Sequence, residues 1–401
     1  MTEVIEKTEN KKGYKKTKLG WIPEEWEIIK FKDIGVSLIG LTYSPKDIVS
    51  SGLLVLRSSN IKDSKIVYDD NVYVNKDVPK KLLTKQNDIL MCVRNGSKNL
   101  VGKSALIKKE NEGHTFGAFM SILRSEYNKY LYQFLQSSYA QKQYTGATSA
   151  TINQITSKDL DLLLLTFPKI KEQEQIVEIL SVWDEGIETL EKLIEQKEVS
   201  KKAIMQKLFL EKESWKMIRF DKIFKDFCKK NCPEERLLSA TQENGVIPRD
   251  MLSGKVMSPE GSLEGYKLIE AGDFVISLRS FQGGLEYSKY RGILSPAYTV
   301  LKNIINIDKD FYRHFFKSYK FIEKYLSISV IGIRDGKQIS YSDLSSVKIP
   351  YPPLEEQEKI GKILNCYDEE IQILNSKLEK LKEQKKGLMQ KLLAGQIRVK
   401  I

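Results

Sequence analysis

Apolar residues recur along two stretches of the chain in alternating steps of four and three. In the first they fall at Ile176, Leu180, Trp183, Ile187, Leu190 and Ile194, and in the second at Ile360, Leu364, Tyr367, Ile371, Leu374 and Leu378. A 3.5-residue period puts one apolar seam along a helix, the pattern that lets two helices wind along each other. Pro168 and Pro352 stand just ahead of the seams and no proline interrupts either, so two long helices are predicted. Each seam has two burials open to it, the other helix or its own globular neighbour. Two seams of equal length and register favour mutual pairing, through Ile176, Leu180, Ile187, Leu190, Ile360, Leu364, Ile371 and Leu374. Lys201 and Lys385 occupy matching seam positions, where lysine fixes register at some cost in stability.

Outside the seams the pattern changes. Short runs such as LLVLRSSNI, KIVYDDNVYV, DILMCVR and SALIKK, and later KLIEAGDFVISLRS, GILSPAYTVLK and SSVKIPY, carry β-branched residues broken by Asn, Gly, Ser and Asp. These read as strands. Helical spacing predicts further helices over residues 128–143 and 309–325.

The chain also repeats itself, and repeats decide architecture. The stretch beginning PKIKEQEQIVEIL at Pro168 aligns without a gap on PPLEEQEKIGKIL at Pro352. Roughly 18 of about 42 positions are identical, far above chance. Gln173 matches Gln357, Asp184 matches Asp368, and Met205-Gln206-Lys207-Leu208 matches Met389-Gln390-Lys391-Leu392. Upstream, EEWEIIKFKDI around Trp26 parallels ESWKMIRFDKI around Trp215, and NDILMCVR ending at Arg94 parallels GDFVISLR ending at Arg279. Between these landmarks the halves diverge. The expected fold is therefore α+β: two globular α/β modules separated by two long antiparallel helices, as an internal pseudo-twofold repeat. The boundaries are a basic segment at 1–20, modules at 21–165 and 213–349, and helices at 166–212 and 350–401.

Composition narrows the function. Of 401 residues, 65 are Lys or Arg and 53 Asp or Glu, a net charge of +12, which suits a polyanionic partner without proving one. Hydrophobic residues make up 41%, enough for real cores. No apolar run approaches the ~20 residues of a membrane span, and the first residues lack the apolar stretch of a signal peptide. Four cysteines make no disulfide framework, so a reducing cytoplasmic location is expected.

Little in the sequence points to catalytic chemistry. Gly96 and Gly102 before Lys103-Ser104 suggest a phosphate loop, but their spacing is six where five is needed, and a strand follows where a helix is required. A polar hairpin is the better reading. Ser295-Pro296-Ala297-Tyr298 resembles the base-holding motif of amino-DNA methyltransferases, but its second proline is missing and no glycine-rich cofactor loop precedes it. It reads as a turn into a strand. Cys228 and Cys232 have no second pair to complete a zinc site, and the only histidines, His114 and His314, lie in different halves. No catalytic residue and no metal ligand is assigned.

Polar loops offer another kind of chemistry. Arginine pairs bidentately with guanine and Asn or Gln with adenine, while Ser, Thr and Lys hold phosphates. In the first half the candidates are Arg57, Ser58 and Asn60, then Arg94, Asn95, Ser97, Lys98 and Asn99, then Thr148 and Ser149. In the second half they are Thr241 and Gln242, then Arg279, Ser280 and Gln282, then Arg334, Lys337 and Gln338. Each is equally readable as an ordinary polar turn.

Taken together, LGWIPEEWEIIKFKDI, the NDILMCVR and GDFVISLR strands, and above all the repeated FPKIKEQEQIVEIL and YPPLEEQEKIGKIL resemble the specificity subunit of type I restriction–modification enzymes. The resemblance covers essentially the whole chain. It implies a non-catalytic subunit whose two target recognition domains each read half of a bipartite site on double-stranded DNA. It also implies two modification subunits carrying S-adenosylmethionine, and up to two motor–nuclease subunits using ATP and Mg. A stand-alone two-module DNA-binding or regulatory protein, and an enzyme with degraded motifs, remain the other readings. If the long helices space the half-sites, lengthening residues 172–208 by whole heptads should widen the gap in the methylated motif and leave both half-sites intact. One added turn of ~5.4 Å corresponds to about one and a half base pairs; methylation mapping of such variants reads the gap directly.

Overall fold

A computed structural model describes residues 12–147, 153–252, 262–278, 280–327 and 339–400. The chain divides into two units, Met1–Thr189 with Leu378–Ile401, and Leu190–Lys377. The helices predicted from the seams are present as Ile170–Leu208 and Leu354–Leu393. The division falls within both of them, so each unit holds one globular module and a stretch of each helix.

In the first unit the four-residue strand Ile89–Cys92 is buried on both faces, as its unbroken apolar run requires. It pairs antiparallel with Ser104–Leu106 on one side and Met120–Ser125 on the other, and Gly35–Ile39 closes the far edge. The register sets Leu90 opposite both Ala105 and Ile122. The polar hairpin expected after Arg94 is thus the observed structure. A second sheet adds Leu53–Leu56, parallel to Thr115–Phe116 and antiparallel to Tyr73–Val74.

The second unit builds the same central sheet from Glu286–Tyr287, Phe274–Ile276, Thr299–Asn303 and Phe224–Phe227, in the equivalent order. Ser295–Tyr298 is a turn, closed by the Tyr298 amide on the Ser295 carbonyl at 3.1 Å, and the strand Thr299–Asn303 follows directly. Beyond the central sheet the modules differ, the second having a hairpin, Leu238–Thr241 with Gly245–Pro248, and a separate antiparallel pair, Lys267–Ile269 with Gly292–Leu294. Its core is aromatic: Phe220, Phe224, Phe274, Phe311, Tyr312, Phe315 and Phe316 are all within 1% of full burial. Phe224 meets Tyr312 edge-on at 5.2 Å, the geometry ring quadrupoles favour.

Two helix predictions need correction, and for one shared reason. The helix expected over 128–143 is two helices, Asn128–Leu135 and Ser138–Ala147. That expected over 309–325 is an α-helix, Lys309–Phe315, and a π-helical turn, Phe321–Leu326. At the first break Ser137 donates its amide and hydroxyl to the Phe134 carbonyl, at 2.9 and 2.6 Å. At the second Ser318 does the same to Phe315, at 3.0 and 2.6 Å. A serine that binds the nearby backbone offers it an alternative to the helical ladder.

The long helices meet antiparallel within each unit. In the first, Ile176 and Leu180 join the module's core together with Met389, Leu392 and Leu393, while Lys385 pairs with Asp184 at 2.6 Å. In the second, Ile360 and Leu364 join the core with Ile204, Met205 and Leu208, while Lys201 pairs with Asp368 and Lys197 with Glu370. Leu190 is buried and Ile187, Ile371 and Leu374 are half-buried. Both burials considered for the seams therefore occur: each helix meets the other and also its own module. The two seam lysines end on the two aspartates that the repeat aligns.

At the start of each long helix a carboxylate closes the unit. Trp26, with no exposed surface, donates its indole N–H to Glu172 at 3.0 Å. Arg398 donates to both Glu172 oxygens, at 2.7 and 3.0 Å, and lies 5.8 Å over the Trp26 ring. The Tyr14 hydroxyl donates to the Gly395 carbonyl at 2.6 Å. Gly395 has φ +65°, and a Cβ there would stand 2.4 Å from Pro23, so only glycine allows this approach. The C-terminal segment thus lies beside residues 19–26, as the repeat requires if it takes the place that residues 209–214 take before Trp215. There, Trp215 donates to Glu356 at 2.8 Å and Lys212 pairs with the same carboxylate.

Glu172 is only 2% exposed, so losing its cation leaves a buried charge with the indole as its remaining side-chain donor. Arg398→Ala should lower stability by about 2 kcal/mol. That is below the ~3–5 of a fully buried pair, because the guanidinium is partly in solvent. Thermal melting of the full chain checks this, and Arg398→Lys should lose less.

Candidate nucleic-acid interface

In the first module, strand Ile89–Cys92 delivers Arg94 to the surface. The amides of Val93 and Arg94 both donate to the Phe119 carbonyl, at 3.0 and 3.1 Å, and the Arg94 guanidinium lies 5.2 Å from the Phe119 ring centre. Asn95 donates its side-chain amide to the Ser58 hydroxyl at 3.2 Å and accepts from the Ser97 amide at 2.9 Å. This joins two of the predicted loops. Arg94, Ser97, Lys98 and Asn99 are exposed, Ser58 and Asn95 half-buried. Arg57 is held by Asp70 at 2.7 Å, which leaves it less free than the others to turn outward.

Asn60 is a correction. It has no exposed surface, its oxygen accepts from the Arg57 amide at 3.0 Å, and its nitrogen donates to Val67, Asp70 and Asn71. With every polar atom spent inside, it shapes the loop and has no face for a ligand.

In the second module two predicted turns come together. Thr241 donates to the Gly245 carbonyl and accepts from the Asn244 amide, both at 3.0 Å, closing its hairpin. Gln242 is exposed at the tip and lies over Gly283. Gln282 is exposed beside it. Ser280 is the second correction: it is fully buried and accepts from the Ser277 amide at 2.8 Å, so it caps a turn. Thr148, Ser149, Arg279, Arg334, Lys337 and Gln338 lie outside the described residues.

Some participants carried no usable sequence signal. Phe119 is 58% exposed, large and apolar, in the middle of polar loops. Asn153 bonds the Gly96 carbonyl at 3.1 Å, and Gln154 bridges Arg94. In the second unit Lys317 donates to the Gln242 and Gly283 carbonyls and to Glu286. Exposure singles out Phe119, and only the folded backbone brings Asn153, Gln154 and Lys317 to these loops.

Each module is seated on its helices through the repeated aspartate. Gln133 donates to Asp184 at 3.0 Å in the first unit. In the second, His314 lies 3.7 Å and Arg313 3.4 Å from Asp368, and His314 shares Asn365 with Arg313. His314 aligns with Gln133, since each directly precedes the phenylalanine whose carbonyl takes the helix-breaking serine.

A duplicated sheet with matched cores and unlike polar loops, each seated on a repeated helix, defines a two-module recognition protein. The family described as "Type I restriction modification DNA specificity domain" matches residues 23–198 and again 212–383. The chain is 30% identical over 426 residues to a putative type I restriction enzyme specificity subunit, MjaX, of Methanocaldococcus jannaschii, covering 97% of each. It is 31% identical over 170 residues to the EcoKI specificity subunit of Escherichia coli K12, covering 40% of this chain and 36% of that one. Among solved structures, the S subunit of a type I system from M. genitalium superposes with a TM-score of 0.54 at 20% identity, covering 92% of this chain and 96% of that one. A chain from a structure of type I R-M complex assembly and conformational transition gives 0.57 at 16% identity, covering 94% and 99%. The chain belongs to the type I restriction–modification specificity subunits, a family of non-catalytic DNA recognition.

The seat of the second module gives stability a pH dependence. Burial, with the Arg313 charge beside it, pushes the His314 pKa down to about 4, against opposing help from Asn365 and Asp368. The unfolded chain binds this proton near pH ~6.5. The contribution of neutral His314 is therefore complete above that pH and declines as pH falls toward 4, by up to about 3 kcal/mol. His314→Gln, the residue of the first module, should flatten the fall in melting temperature between pH 7 and 4.5.

Proposed function

We propose that this chain selects a bipartite, asymmetric site on double-stranded DNA, each module reading one half, and that it holds the catalytic subunits of its system around that site. The observation that carries this reading is the contrast between the halves. The central sheet, the Trp–Glu closure and the aspartate seat are repeated, while the polar loops at the ends of the strands are not. A scaffold kept constant under variable loops is what separate reading of two half-sites needs.

Within the first half-site, in this reading, Arg94 pairs with guanine and the exposed Asn99 with adenine, Ser97 and Lys98 hold phosphates, and Asn95, whose amide bonds Ser58 and Ser97, joins the two loops. Gln242 and Gln282 take the adenine-reading part in the second. The chain itself works without a cofactor in this reading. Its partners are two modification subunits, which bring S-adenosylmethionine, and up to two motor–nuclease subunits, which bring ATP and Mg. A stand-alone regulator is not favoured, because both family matches span module and helix together. Among the described residues no helix is long and apolar enough to cross a membrane.

Exchanging residues 21–165 for the matching segment of another family member should change one half of the methylated motif and leave the other as it was. Genome-wide methylation mapping reads both halves at once. A change in both would overturn the separate reading of half-sites.

A further inference from the structure

In the second unit one lysine ties together the two turns assigned to DNA. Lys317 stands between the helix Lys309–Phe315 and the π-helical turn, its backbone fixed by the buried Phe315 and Phe316 on one side and Ser318 on the other. Its ammonium donates to the Gly283 carbonyl at 2.9 Å, to the Gln242 carbonyl at 3.3 Å and to Glu286 at 2.6 Å. Glu286 is 1% exposed, and its other oxygen is buried without a hydrogen-bond partner. Burial pushes the Glu286 carboxyl pKa up while Lys317 pulls it down. The turns are also packed to contact: at Gly284, φ +74°, a Cβ would stand 1.8 Å from the Phe316 carbonyl.

The first unit shows what the fold needs at these places. Ala105 stands opposite Leu90 where Glu286 stands opposite Val275, and the NDILMCVR and GDFVISLR strands align Leu90 with Val275. Gln136 lies between Phe134 and Ser137 where Lys317 lies between Phe315 and Ser318. The same sheet and the same serine break therefore form around an alanine and a glutamine. A buried ion pair seldom adds net stability over neutral residues of similar shape, and its best-attested use is fixing one arrangement among several. A pair kept in one repeat and absent from the other is not there to build the sheet.

We propose that Lys317 is a positioning residue for DNA specificity. Seated on Glu286, it clamps the turn of residues 241–245 and the turn Ser280–Gly283 into one fixed surface that reads the second half-site. The inference rests on the reading that those turns contact DNA. Without the clamp, Gln242 and Gln282 keep their chemistry but lose their fixed spacing, and bidentate pairing to a base edge depends on that spacing.

The test uses the full chain purified with the modification subunits of its own system, and pools of duplexes randomised in one half-site at a time. The variant Glu286→Ala with Lys317→Gln installs the residues the first module already carries. It should melt within about 4 °C of the parent. Its preference for the best base over the next should fall about tenfold in the second half-site and stay unchanged in the first. Undiminished preference in the second half-site overturns the clamp, and so does an equal loss in both. If that variant melts early, Glu286→Leu with Lys317→Met, an apolar pair of similar length, reads the same quantity. Gln242→Ala and Gln282→Ala separate the two levels. A second half-site indifferent to both overturns the reading that these turns contact DNA. One that responds to them but not to the Ala–Gln pair overturns the clamp alone.

Discussion

A carboxylate with almost no exposed surface cannot be left alone, and the structure is arranged around that constraint. Glu172 sits in the first turn of its helix, where the helix dipole favours negative charge. Desolvation still has to be offset by direct donors. Those donors come from far apart in sequence: the indole of Trp26 and the guanidinium of Arg398. Satisfying one buried charge thereby fixes the residues that lead into the module, the start of one long helix and the segment after the end of the other. Glu356, Trp215 and Lys212 repeat the device in the second unit. Around it the rest follows. Gln173 and Gln357 each bond back to the proline carbonyl before the helix, both at 2.8 Å, and the apolar seam begins one turn later.

Much of this was legible in the sequence because it depends on periodicity and repetition. The seam predicted two long helices, and the alignment of Trp26 with Trp215 and of Asp184 with Asp368 marked the residues that tie each unit together. Their chemistry was not legible, since nothing local says that a lysine at 385 should meet an aspartate at 184. The broken helices failed for a different reason. Residues 128–143 and 309–325 both have helical spacing, and hydrophobic spacing is blind to a serine hydroxyl that takes the carbonyl of Phe134 or Phe315. Propensity places serine only slightly below the good helix formers, so the break becomes visible only with the folded backbone.

The polar loops were legible as composition but not as geometry. Asn60 and Ser280 look like Asn99 and Gln282 in sequence, and only burial separates a residue that shapes a loop from one that the loop presents. The contrast has a physical basis. A turn needs internal hydrogen bonds to hold a non-helical backbone, and Asn and Ser supply them as readily as they would contact a base. Loop composition therefore names the right neighbourhood and the wrong individuals about as easily as the right ones. Phe119 shows the converse, an apolar residue that only its exposure brings to notice.

The aspartate seat has a bearing on how such a chain can change over generations. Asp184 and Lys385 in one unit and Asp368 and Lys201 in the other are drawn from the repeated stretches, as are Glu172, Glu356, Gln173 and Gln357. The charged and amide groups at the centre of each seat are thus spelled out twice in the same chain. A crossover within the repeated stretch delivers a whole foreign module to a socket whose aspartate, lysine, glutamate and glutamine already stand in place, so that adjustment is confined to unrepeated partners such as Asn365 and Arg398. New sequence preferences can then be acquired by recombination in a single event, instead of by successive mutations that must each preserve the fold.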